Sequence, residues 1–484
     1  FVFSFFPLNM EMLYTLGRIL FDGHQVAGLL NYYLGLILVL GAACLGRRFG
    51  GGRAAILSAA VLILTPVFGL LAVVPKHDLA LALFEVGAFL AWCRWWFDGR
   101  RESLILAGIL AGFACGTKYA GIYFLLALLA ATAIVAFLQD RKSVLPAFRG
   151  LGLALGLALV VSSPWWVRNA VVTGNPVYPT FQKLFPSAER LSPNGNRISS
   201  ESGGRRDLSG LLRAPWDMTF HPEDFRLFSQ IGPFYLAMLL PLLAGFRFRR
   251  EIPLMLLTVA LTAGFWWWTR PNTRYFLGCL VLLGAASAAL LVRFPTRNRI
   301  STAALAGLVL LFPPLNLVAY LSVERTLFDS LGQVLGTSET ETEYLTRRLN
   351  YYPAAAFINS NLPEDAGVML VGETRSYYLE RPVRVSSAHN RSLAVRWADE
   401  AGTVERLLAV LEREGVTHLL VNEEEGDRLG KKYAYYDFSG PRSRLAFDRL
   451  LQEKTCRLFS HRRVHVLAVG PCGERETLSA GASR

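Results

Sequence analysis

Apolar residues in this chain come in long blocks rather than in alternation with polar ones. From Val26 to Tyr320 they run in stretches broken by short segments rich in arginine or in glycine and proline. A helix needs about 20 mainly apolar residues to cross the hydrocarbon core of a bilayer. The pattern therefore predicts about ten transmembrane helices, at 25–46, 54–74, 79–97, 103–117, 119–138, 150–166, 231–246, 252–268, 276–292 and 301–322. The stretches at 103–117 and 150–166 are short for a crossing and contain glycine or proline, which predicts broken or tilted helices beside a cavity.

The breaks between blocks set an orientation. Alternate breaks hold Arg47, Arg48 and Arg53, then Arg94, Arg100 and Arg101, then Arg141, Lys142 and Arg149. The same set continues with Arg247, Arg249 and Arg250, and ends with Arg293, Arg297 and Arg299; only Asp98, Glu102, Asp140 and Glu251 oppose them. Cytoplasmic loops carry such an excess of arginine and lysine. Ten spans then leave both ends of the chain outside, together with segment 1–24, the tripeptide Lys76-His77-Asp78, the Thr117-Lys118-Tyr119 turn, a long loop at 167–230 and the loop 269–275.

After Leu321 the blocks stop, and from Glu339 onward charge is evenly mixed. A helix at 341–361 is expected to stop before Pro363, followed by strands at 368–372 and 383–387, a helix at 401–414, a strand at 417–422, a helix near 441–454 and a strand at 464–469. Strands alternating with helices predict a small, largely parallel sheet. A nucleotide-binding G-x-G-x-x-G is absent, so a lid or a stabilising module is the expected role. The fold class is thus a polytopic α-helical membrane protein with a C-terminal extracytoplasmic α/β domain: 1–24 the remainder of an outer loop, 25–322 the membrane domain, 323–484 the outer domain.

Composition agrees with this division. Of 484 residues 52% are hydrophobic and only 18% charged, against about a quarter charged in soluble domains. The net charge of +13 is consistent with loop arginines and not with nucleic acid, because most of the excess sits between apolar blocks. Cys44, Cys93, Cys115 and Cys279 lie in apolar blocks, whereas Cys456 and Cys472 lie in the outer domain, where an oxidising compartment would let them pair. The chain starts at Phe1 with no signal-peptide pattern, and its true N-terminus is expected to lie upstream.

Several polar residues at the predicted outer surface are candidates for chemistry. Asp78 opens a span, either as a general base or metal-liganding carboxylate or as an acid that complements the helix dipole. Glu85 lies two turns further along the same face, as a second cavity acid or as the partner of a neighbouring helix. Lys118 is placed either to meet an anionic headgroup or to snorkel to the interface. Arg168 and Asn169 leave the sixth span beside Trp165 and Trp166, as headgroup ligands or as part of an aromatic belt and turn. Arg270 and Arg274 flank a proline turn after three tryptophans, as a phosphate clamp or as interfacial anchors.

Three stretches resemble the GT-C class of membrane glycosyltransferases, the relatives of protein O-mannosyltransferases and lipid A aminoarabinose transferases. They are Asp78-Leu-Ala-Leu-Ala-Leu-Phe84, the Ala-Gly…Thr-Lys turn within 106–121, and Ser163-Pro-Trp-Trp-Val-Arg-Asn169 with Gly174-Asn-Pro-Val-Tyr-Pro179. Thr273-Arg-Tyr275 matches a weaker signature, and Glu11 falls in what resembles the end of the first outer loop. The resemblance implies a sugar moved from a polyprenyl-phosphate donor to an acceptor lipid, glycan or protein, with inversion at the anomeric carbon. It implies Asp78 and Glu11 as active-site acids, Asp78 with a divalent cation such as Mg or Mn, and Lys118, Arg168, Asn169, Arg270, Arg274 and Tyr275 around the substrate. It further implies a bacterial plasma membrane with the site outside, contact with membrane lipids, and a leading span and acidic motif upstream of Phe1. A lipid or polysaccharide transporter and a non-catalytic envelope-assembly protein are the competing readings; a transporter would be expected to show internal repeats.

Overall fold

The computed structural model describes residues 2–21, 25–139, 141–181, 184–185, 206–225, 229–245, 248–293, 314–318, 340–388, 390–433 and 435–470. The chain divides into two compact units, one made of Phe5–Ala188 and Glu201–Phe328, the other of Asp329–Arg484 with Phe1–Ser4 and Glu189–Ser200.

Among the described residues the regular structure of the first unit is helical. In chain order it contains α1 (Asn9–Phe21), α2 (Gln25–Gly50), α3 (Gly52–Ile63), α4 (Pro66–Ala72), α5 (Asp78–Asp98), α6 (Arg101–Thr117), α7 (Ala120–Gln139) and α8 (Arg141–Thr173). It continues with α9 (Leu208–Phe220), α10 (Phe234–Ala244), α11 (Ile252–Thr269) and α12 (Leu277–Arg293). Among the described residues six helices are long and apolar enough to cross a membrane, and the bent pair α3–α4 makes up to seven. The chain is an integral membrane protein.

The expected ten spans are therefore not all present as full-length helices among the described residues. The stretch at 103–117 is a helix of 17 residues and that at 231–246 one of 11. The stretch at 301–322 lies outside the described residues except for a helical piece at 314–318. The stretch at 150–166, read as short, is part of a helix of 33 residues. Apolar counting stopped at the polar and aromatic residues that follow, although the helix continues through them to Thr173.

Local chemistry explains the breaks. Pro66 starts α4 after a 70° bend, at the position where a missing N–H costs nothing. Asn31 then donates its side-chain amide to the carbonyls of Leu71, Ala72 and Val74, closing the free end of α4. Helix α5 ends at Gly99 with φ 72°, where Gly99 and Arg100 donate back to Trp95 and Arg94. On the basic side, Arg48 grips Asp98 at 2.7 Å and Glu251 at 3.1 Å, tying the ends of α2 and α5 to the start of α11.

The second unit is a five-stranded sheet in the order β2-β1-β3-β5-β4. Its strands are β1 (Val368–Val371), β2 (Val383–Arg384), β3 (His418–Asn422), β4 (Thr455–His461) and β5 (Val464–Val469). The first three are mutually parallel, but β5 runs antiparallel to both β3 and β4, so the sheet is mixed rather than largely parallel. Strand β4 escaped the sequence reading because it is an edge strand with little buried surface. The helix expected at 341–361 is two, α13 (Glu341–Arg348) and α14 (Tyr352–Asn361), since Pro353 favours a fresh start. Cys456 is disulfide-bonded, the four membrane cysteines are free, and Cys472 lies outside the described residues.

Close packing of α6 on α8 depends on glycine. A Cβ on Gly112 would lie 2.6 Å from the Val161 Cβ and 2.9 Å from the Ala158 carbonyl oxygen. Gly112→Ala is expected to destabilise the membrane unit by about 1–3 kcal/mol, whereas Gly152→Ala, facing open space, should be neutral. Thermal unfolding of the purified protein in detergent checks both; equal midpoints would contradict the packing described.

Candidate active site

The site is built where α5 begins and α6 ends, near the turn before α12. Asp78 is the first residue of α5 and only 1% exposed. Its Oδ1 accepts from the Lys118 ammonium at 2.6 Å, and the Arg274 guanidinium stands 3.6 Å from Oδ2, which accepts no hydrogen bond among the described residues. Lys118 reaches this position because the chain leaves α6 there in an extended conformation. Its ammonium also lies 3.7 Å from the centre of the Tyr275 ring, and the Arg274 guanidinium 5.9 Å from it. Tyr275 packs in turn against Leu81, Ala114 and Ala120.

The turn carrying Arg274 is held from below. Asn272 accepts through Oδ1 from the Arg274 backbone N–H and Nε, while its carbonyl accepts from the Trp266 indole at 2.8 Å. Asn272 was not singled out in the sequence. The Pro-Asn-Thr step, an Asx turn before a short helix, was the available signal. Arg270 caps α11 in the same turn, and its Nε is buried with no hydrogen-bond partner among the described residues.

Helix α1 closes another side. Glu11 Oε1 lies 3.0 Å from His77 Nδ1, and Glu11 Oε2 has no hydrogen-bond partner among the described residues. The Tyr14 hydroxyl donates to the Lys76 carbonyl at 3.0 Å and approaches Asn31 Oδ1 at 3.3 Å. Burial, seconded by Glu11 and Asp78, raises the Tyr14 phenol and keeps it a donor. Burial and the Arg274 charge lower the Lys76 ammonium to about 8, against the opposing pull of Asp78.

Asp78, Lys118, Arg274 and Tyr275 are thus brought together, with Glu11 attached through His77, the residue before Asp78. Arg168 and Asn169 are not in direct contact with that group. Asn169 donates to the Phe5 carbonyl at 2.7 Å and to the Tyr119 hydroxyl at 3.4 Å, and Arg168 lies 5.7 Å over the Phe5 ring. Tyr119 donates onward to the Tyr178 carbonyl at 2.8 Å, so this neighbouring cluster meets the first through the adjacent residues Lys118 and Tyr119. Glu85 is buried against α12, where a Cβ on Gly278 would come within 2.1 Å of its Oε2.

The surroundings of Asp78 do not fit the expected Mg or Mn. Among the described residues no three His, Cys, Asp or Glu side chains converge as metal ligands. Both Asp78 oxygens face cations instead. The arrangement suits an anion, because a buried carboxylate here fixes two cations side by side.

The sequence family described as dolichyl-phosphate-mannose-protein mannosyltransferase matches residues 7–167. No curated protein matches the chain. The structure of ArnT from Cupriavidus metallidurans bound to undecaprenyl phosphate shares the fold with a TM-score of 0.57 and 16% identity, over 96% of this chain and 89% of that one. The Archaeoglobus fulgidus oligosaccharyltransferase in complex with Zn and sulfate gives a TM-score of 0.52 at 16% identity, over 96% of this chain and 65% of that one. The archaeal oligosaccharyltransferase AglB from Archaeoglobus fulgidus, in complex with an inhibitory peptide and a dolichol-phosphate, gives a TM-score of 0.51 at 16% identity, over 96% of this chain and 66% of that one. Residues 7–167 thus match the dolichyl-phosphate-mannose-protein mannosyltransferase family, and the chain shares the fold of the ArnT and AglB structures.

Proposed function

We propose that this enzyme moves a sugar from a polyprenyl-phosphate carrier to an acceptor lipid, glycan or protein on the extracytoplasmic side of a bacterial plasma membrane. The observation that carries the reading is the buried Asp78 carboxylate gripping Lys118 with Arg274 beside it. Relatives in fold support the donor class: ArnT was captured with undecaprenyl phosphate and AglB with a dolichol-phosphate and a peptide. The arginine-rich loops support the orientation.

In this reading Lys118 and Arg274, with Arg270 and Lys76 nearby, hold the donor phosphate. As the anomeric C–O bond breaks, its electron pair leaves with the phosphate oxygen, and cations already in place stabilise that charge without reorganising. The acceptor oxygen forms the new bond from the opposite face of the sugar, which inverts the anomeric centre. Glu11, half-exposed and with one oxygen unpaired, takes the acceptor proton. Asp78, closed off by its cations, positions them. Arg168 and Asn169 shape the adjoining wall.

Lys118→Ala should lower kcat/KM for transfer from a polyprenyl-phosphate sugar about 100-fold or more. Asp78→Asn should produce a loss of similar size, and the double variant should cost far less than the product of the two. Radiolabelled sugar transfer by the purified variants, with monodispersity confirmed, reads this out; near wild-type rates in either single variant would refute the clamp.

Donor binding should also depend on pH through Lys76. With its ammonium lowered to about 8, the positive charge is lost as pH rises through that value, so KM for the anionic donor should climb above pH 8. Lys76→Arg keeps its charge and should move that limb upward. KM profiles from pH 6.5 to 10 that coincide for the two proteins would exclude Lys76 from the phosphate site.

A further inference from the structure

The second unit carries a polar and aromatic cluster that the transfer reading does not use. Sheet order places β2 and β3 on opposite sides of β1, so consecutive connections diverge at the carboxyl ends of β1 and β3. Ligands of open α/β sheets bind at such a switch point. Here β1 runs into Gly372, whose φ of 71° and contact distance of 2.3 Å from a Cβ to the Asn422 carbonyl oxygen exclude a side chain.

The next residue, Glu373, is fully buried. Its Oε1 accepts from the backbone N–H groups of Thr374 and Arg375 and from Arg375 Nε; its Oε2 accepts from Arg375 Nη2 and Asn422 Nδ2. These bonds hold the Arg375 guanidinium in one orientation, 4.8 Å over the Tyr351 ring, while its side chain stays 41% exposed. Asn350 extends the array, accepting from Asn422 at 3.2 Å and donating to Glu424 at 3.0 Å. Beside it runs an aromatic ridge: Tyr352 against Tyr378 at 5.3 Å, Tyr378 against Tyr377 at 5.0 Å, and Tyr377 48% exposed.

We infer that Asn350, Arg375, Glu424 and Tyr377 form a carbohydrate-binding site for a neutral oligosaccharide. Sugar hydroxyls need donors and acceptors side by side, as an amide, a guanidinium and a carboxylate supply. The apolar C–H face of a sugar ring packs on an exposed aromatic ring. Oriented planar groups recognise such a ligand at low entropic cost. Charge selects the neutral class: Arg375, Arg428 and Arg463 are outnumbered by the carboxylates of Glu373, Glu423, Glu424, Glu425 and Asp427, an acidic balance that disfavours uronates and phosphates. The inference is independent of the lipid-phosphate site, since every residue in it belongs to the second unit.

The test titrates the purified full chain, in a detergent without a sugar headgroup, with mannotetraose, chitotetraose and tetragalacturonate by calorimetry. Saturable binding of at least one neutral tetrasaccharide is expected. Tyr377→Ala should weaken it about fivefold or more and Tyr377→Phe less than about twofold. Lys118→Ala should leave it unchanged while losing transfer, which separates this site from the transfer reaction. Absence of saturation by both neutral probes, tighter binding of tetragalacturonate, or undiminished binding by Tyr377→Ala would each overturn the assignment.

Discussion

The contact on which the membrane unit's chemistry rests is the pairing of Asp78 with Lys118 and Arg274. A carboxylate this deeply buried loses several kcal/mol of hydration, and only close cations and a helix N-terminus offset that. Lys118 at 2.6 Å and Arg274 at 3.6 Å supply the charge, and the first turn of α5 supplies the dipole. Each cation comes from a different element, so one carboxylate registers α5, the end of α6 and the turn before α12 at once. Removing one partner of such a group costs about 3–5 kcal/mol, because the remaining charge stays buried. In the proposed reading the cations are therefore in place before substrate arrives, as electrostatic catalysis requires.

Supports around this contact are made of asparagines and glycines. Asn272 fixes the Arg274 turn, Asn31 closes α4 ahead of the Lys76-His77-Asp78 segment, and Asn9 accepts from the Trp165 indole while Gly116 leaves it room. Each satisfies backbone or side-chain groups that bilayer hydrocarbon would leave unpaired. The broken helix α3–α4 belongs to the same scheme, since irregular backbone is tolerated only where protein covers it.

Much of this was legible in the sequence, and what was not has identifiable causes. Asp78, Lys118 and Arg274 stand out because ionisable residues are rare among apolar blocks, and Tyr275 follows from its neighbour. Nothing in a single chain marks that Asp78 would face two cations rather than a metal, because partners from other helices are set by packing. Arg168 and Asn169 were open in the sequence to two readings, headgroup ligands or part of an aromatic belt and turn, and the contact of the Asn169 amide with the Phe5 carbonyl has no signal in a single chain. Span counting erred where helix length and apolar length differ: α8 outlasts its apolar stretch, and α10 falls short of it. In the second unit the buried β1 and β3 were read from continuous apolar runs, whereas edge strand β4 carries no such signal. The Glu373–Arg375–Asn422 network joins residues far apart in sequence and becomes visible only once β1 and β3 are neighbours.

The central claim is that the cations held by Asp78 recognise phosphate rather than the lipid chain. Binding of undecaprenyl phosphate to the purified protein, competed with undecaprenol, tests it most directly. The account predicts saturable binding of the phosphate, no displacement by the alcohol at equal concentration, and loss of binding in Lys118→Ala. Equal affinity for phosphate and alcohol, or undiminished binding in Lys118→Ala, would contradict it.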